Sequence, residues 1–178
     1  MQIPLLPAAP PPAPAPYYPG DAATVADLLR HADAFRVAAH ALVATGRKKA
    51  PSSWAPFRLC AIHAIELYLN AMLQHCGSTP AQIRGLQHNL AARATLAIQK
   101  GLVLRKLTAG HLATMHETRE YLVTRYGPEL GSLMTARNRL TATLDQVAGA
   151  VSAWCQSIPS VGPPPAVATR ETASAQAL

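Results

Sequence analysis

Three cysteines, few aromatics, few acids and no long apolar run mark what this 178-residue chain has little of. The odd cysteine count argues against a secreted disulfide framework. Cys60, Cys76 and Cys155 all sit among apolar residues, where a free thiol packs as a small hydrophobe. No stretch of about eighteen apolar residues occurs, so no membrane span is expected. The N-terminus lacks a charged region, and Pro4, Pro7 and Pro10 interrupt its apolar part, which argues against a signal peptide. The expectation is a soluble protein of the cytoplasm.

Familiar catalytic apparatus is missing as well. No strand pattern is present, so no glycine-rich phosphate loop follows one, and no serine stands in a nucleophile-elbow context. Cys60 and His63 are one helical turn apart, but His75 and Cys76 lie four turns further on, too far to converge on one metal ion. His116 and Glu117 have no second histidine at the spacing of a zinc-protease helix. Neither a metal nor a cofactor is expected.

What is abundant points to helices. Hydrophobic residues make up 49% of the chain and are dominated by alanine and leucine, which lose little side-chain freedom in a helix. Eight of the sixteen prolines fall in the first twenty residues, and more cluster at Pro163, Pro164 and Pro165. Such segments favour extended polyproline II and bury too little surface to fold. The expected organisation is a disordered head over residues 1–20, a helical domain over 21–158 and a disordered tail over 159–178.

Apolar periodicity divides that domain into about five helices, an all-α up-and-down bundle. The first carries Val25, Leu28, Leu29, Ala32, Phe35 and Ala39, with Asp21 or Thr24 to cap it and Gly46 to end it. The second, from about Ser53 to Cys76, is apolar around most of its circumference and is expected at the centre. A third spans roughly Asn89 to Lys100, and a fourth runs from near Thr108 to Tyr126. The last places Leu133, Leu140, Leu144, Val147, Val151, Trp154 and Ile158 in a near-heptad seam, suited to bundle packing or to a dimer interface.

Polar residues then single out candidate sites. His63, Glu66, Asn70 and Gln74 share one face of the otherwise apolar second helix. Glu66 is the sole acid between Asp33 and Glu117; if buried it needs a cation, and an arginine from another helix is the obvious source. The stretch from Leu67 to His116 holds no acid but several Arg, Lys and His, and a net charge of +7 makes phosphate backbones a plausible target. The same charges read more simply as a solvated basic face. Arg105 and His111 are separated by five residues, a spacing at which imidazole could move a proton while guanidinium stabilises a phosphate.

The order of these features resembles the HEPN family of helical domains. "HAIELYLNAMLQHCG" (His63 to Gly77) is similar to the family's central helix, with Asn70 where the family carries lysine. "GLQHNL" (Gly85 to Leu90) is similar to its Gly-His-Asp-Leu turn, placing His88, Asn89 and Leu90. "QKGLVL" and "VTRYGP", with Arg125 and Tyr126, match a glycine-leucine break and a helix ending in Arg-Tyr. The resemblance covers roughly Ala22 to Trp154. It implies a helical bundle that commonly dimerises, in systems of bacterial defence or toxin–antitoxin type, often beside a nucleotidyltransferase or antitoxin partner. Many members are metal-independent ribonucleases with a late arginine–histidine motif; here Arg137 and Arg139 have no histidine after them.

Three functions follow as expectations. The first is a non-catalytic module binding a nucleotide, RNA or a protein partner through Glu66, His88, Asn89, Arg119, Arg125 and Tyr126. The second is a ribonuclease using Arg105, His111 and His88. The third is a structural protein-interaction module built on the last helix and the tails.

Overall fold

Thr24 begins the first helix by a reciprocal cap. Its hydroxyl accepts from the Asp27 backbone N–H (3.1 Å), and the Asp27 carboxylate accepts from the Thr24 N–H (2.9 Å). Those bonds to Thr24 hold the Asp27 carboxyl below its ordinary pKa. This helix, α1, spans Val25–Leu42 and passes into a 3₁₀ turn at Val43–Thr45. Gly46 follows because the Trp54 ring lies against its Cα, leaving no room for a Cβ. A second 3₁₀ turn, Pro51–Trp54, leads into α2, Ala55–His75.

The computed structural model describes residues 18–127, 129 and 134–159, and every named element there is helical. After α2 come α3 (Pro80–Gly85), α4 (Leu90–Gln99), α5 (Lys106–Glu117), α6 (Glu120–Tyr126) and α7 (Arg137–Ser157). The protein is all-α, with seven α-helices among the described residues rather than about five. One extra helix is α3, which Thr79, Pro80 and Gln82 start as a second capping box. The other arises because Arg119 takes a left-handed conformation (φ 52°) and splits the expected fourth helix into α5 and α6. The expected head and tail fall mostly on residues 1–17 and 160–178, and Leu133 of the seam on 133, all outside the described residues.

α2 lies at the centre, with Ile65, Leu69, Met72 and Tyr68 fully buried. α1 runs antiparallel to it: Asp33 meets Tyr68, while the Ala23 carbonyl, just before α1, accepts from Gln74 near the end of α2. α7 runs in the same sense as α2. Arg58 donates to the Thr135 carbonyl at one end (2.6 Å), and His75 bonds the Ile158 carbonyl at the other (2.7 Å). α4 also follows α2, with Arg93 beside Asn70 and Lys100 at the Cys76 carbonyl. The order is therefore not strictly up-and-down, because residues 76–89 carry the chain back before α4 begins.

Leu140, Leu144, Val147 and Val151 are completely buried within one chain, so the α7 seam packs inside the bundle. A buried ion pair, Arg58–Glu120 (3.5 Å), joins α2 to α6, and Glu120 also accepts from the Thr135 N–H (2.8 Å). The cysteines are free and partly buried, and burial pushes the Cys155 thiol up to about 11. None of the described helices is long and apolar enough to cross a membrane.

Candidate functional site: a polar groove on the central helix

The four polar residues of α2 open onto one groove instead of bulk solvent. His63, Glu66, Asn70 and Gln74 line a cleft of about 750 Å³, closed on the far side by α3 and the α3–α4 turn. A volume of that order suits a ligand of nucleotide size.

Arg93 organises the floor. Asn89 caps α4 by accepting from the Ala92 N–H (2.9 Å), which sets the first turn and aims Arg93 back at α2. Its guanidinium donates through Nε to Asn70 Oδ1 (2.7 Å) and pairs through Nη2 with Glu66 Oε1 (3.1 Å). It also reaches the carbonyls of Leu86 (3.3 Å) and Ile83 (3.4 Å), each of which accepts a backbone N–H as well. Only 2% of Arg93 is exposed; burial lowers its pKa, and the Glu66 charge works against that shift.

His88 closes the second side of the same carboxylate. Its Nδ1 lies 3.1 Å from Glu66 Oε2, and its ring packs against Tyr121 with centroids 4.9 Å apart. Glu66 is thus held between a buried arginine and a half-exposed histidine. Gln87, immediately before His88, adopts a left-handed backbone (φ 48°) that side chains rarely accept. That turn positions His88 at the lip of the groove. At the rim, Arg84 stacks over the Tyr18 ring (4.2 Å) and pairs with Asp21. His63, edge-on to Phe35 with centroids 4.5 Å apart, is kept below its ordinary pKa by burial.

The structure gathers only some of the residues the sequence nominates. Glu66 and His88 meet directly, and Arg125 lines a small recess beside Glu66, His63 and Tyr121. Asn89 is occupied as a helix cap, whereas exposed Arg119 sits in the left-handed turn before α6 and Tyr126 projects to solvent, 75% exposed. Arg105 is an exposed residue at the start of α5. His111 is buried in the bundle, with Nδ1 against Thr143 Oγ1 (2.7 Å), and burial lowers its pKa. Among the described residues no three His, Cys, Asp or Glu side chains cluster as metal ligands would.

Sequence reading missed Arg93, although the charge it neutralises was evident. The signal was its position: with Leu90, Ala94 and Ala97 it completes the buried face of α4, a place where a lone arginine demands a carboxylate. No protein-family profile, no curated protein and no solved structure matches the chain.

Proposed function

We propose that this is a non-catalytic HEPN-like domain that holds a nucleotide, or the end of a single-stranded RNA, in the groove above Glu66 and Arg93. The observation that carries the reading is the convergence of Asn70, Gln74, His88 and the Tyr18–Arg84 stack on one cleft of nucleotide size. Amides and imidazole offer hydrogen bonds to a base or ribose, and a guanidinium over an aromatic ring offers a stacking and phosphate contact. The Arg93–Glu66–His88 arrangement holds Asn70 and His88 before any ligand arrives, which lowers the entropy cost of binding.

Binding without cleavage is favoured because the spacing-based pair is not assembled. His111 is inside the bundle on Thr143, while Arg105 is exposed at the first residue of the α5 region. The family resemblance adds a setting of defence or toxin–antitoxin type, a homodimer and a nucleotidyltransferase or antitoxin partner to the proposal. With the α7 seam filled internally, such a dimer would use another face.

Calorimetric titration with AMP and with short single-stranded RNA in EDTA tests the reading. Saturable binding that weakens about tenfold in His88→Ala, with the RNA left intact, is the expected result. No binding of either ligand would remove it. Cleavage lost in a histidine variant would replace it with the ribonuclease reading.

A further inference from the structure

A second surface concentrates charge at the other features' expense. The loop after α1 carries Arg47, Lys48 and Lys49, all exposed. It is tied to Trp54, since the Arg47 N–H donates to Ser53 Oγ (2.7 Å). The Arg137 guanidinium, at the start of α7, lies over the Trp54 ring at 4.4 Å. One turn of contact further, Arg139 donates to the Leu107 carbonyl (2.6 Å), which brings in Arg105 and Lys106 at the start of α5. Three segments distant in sequence are therefore joined, and together they carry seven cations.

Their number equals the protein's net charge of +7. The chain has sixteen Lys and Arg against nine Asp and Glu; with the seven set aside, nine cations remain for nine acids. Elsewhere five arginines are paired, Arg30 with Asp27, Arg36 with Asp145, Arg58 with Glu120, Arg84 with Asp21 and Arg93 with Glu66, while Arg119 and Arg125 stand singly on α6 and the turn before it. Among the described residues, none of the seven meets a carboxylate at ion-pairing distance, including Glu129, which precedes α7. A cluster of one sign with no acid at ion-pairing distance repels itself, and an external polyanion relieves that repulsion.

We infer that this face, built by the 47–49 loop and the starts of α5 and α7, binds the phosphate backbone of RNA. Arg137 and Arg139 favour a polymer of fixed phosphate spacing over a fluid anionic membrane. Each guanidinium is already held, one on an indole face and one on a carbonyl, with donors to spare. Contacts of this type position a strand without reading its sequence. The inference does not depend on the groove binding a nucleotide.

Fluorescence anisotropy of the full chain with a labelled RNA of about twenty nucleotides tests it. Binding of the unaltered chain is expected to fall with salt, with a log–log slope between about −3 and −5 for four to seven neutralised phosphates. The double variant Lys48→Glu/Lys106→Glu is expected to lose at least about tenfold in affinity. Arg30→Glu/Lys100→Glu, an equal change in net charge elsewhere, is expected to lose less than about threefold. Equal losses in both variants would overturn the inference, as would patch-dependent capture on phosphatidylserine vesicles with no RNA bound. AMP titration of the same variants reads the groove separately, so a failure there leaves this result standing.

Discussion

Arg93 is almost inaccessible to water and keeps a charge that Glu66, Asn70 and two carbonyls share. A guanidinium stays protonated even where burial lowers its pKa, so the surroundings must supply the compensation. Removing one partner of such a pair strands the other charge in a medium that solvates it poorly. Arg93→Met is expected to cost about 3 kcal/mol of stability, measured by urea unfolding. The double variant Glu66→Gln/Arg93→Met should recover part of that loss, because no bare charge is left behind. A single-variant cost below about 1 kcal/mol would mean that water reaches the pair after all. His88 contributes differently: half-exposed, it bonds the second oxygen of Glu66 from the lip of the groove.

At the scale of elements, two glycines end helices by the same geometry. Gly77 (φ 81°) closes α2, with the Ser78 N–H on the Leu73 carbonyl (3.0 Å) and the Gly77 N–H on Gln74 (2.9 Å). Gly101 (φ 105°) closes α4 likewise, with Leu102 bonding the Ala97 carbonyl (2.9 Å) and burying its own side chain. Gly101 has a second constraint, since the Trp154 ring of α7 occupies the space a Cβ would need. Gly101→Ala is therefore expected to destabilise by at least about 2 kcal/mol, combining left-handed strain with overlap. Thermal unfolding of Gly101→Ala alongside Gly101→Ala/Trp154→Leu separates the two causes, for only the overlap is relieved by the smaller ring-free side chain. The stops at Gly77 and Gly101 were legible in the sequence, and so was a cap at Asp21 or Thr24, of which the structure uses Thr24. The Arg119 break was not, because nothing about arginine favours a left-handed turn; packing of Glu120 onto Arg58 and Thr135 holds it there.

For the whole molecule, the consequence of burying the α7 seam is that one chain contains its own core. Leu144→Ala should lower stability by about 3 kcal/mol through the cavity it leaves. That loss should be the same across about a hundredfold range of protein concentration, because the contacts broken lie within a monomer. A midpoint shift that grew with dilution would place the seam between chains instead. Charge is also organised at this scale: buried arginines are matched one to one with acids, and seven further cations lie on three segments joined through Trp54, Arg137 and Arg139.

Helix content, the central place of α2 and the polar stripe through Glu66 were written in local pattern, since periodicity and composition act over a few residues. The need for a cation at Glu66 was equally readable, as a charge on an apolar helix has few alternatives. Which cation answered it, and which loops brought seven others together, depended on the senses of α4, α5 and α7 relative to α2. Those senses go with side chains meeting between helices, Arg93 on Asn70, Arg139 on Leu107 and Trp154 on Gly101, contacts between residues that no stretch of sequence places near one another.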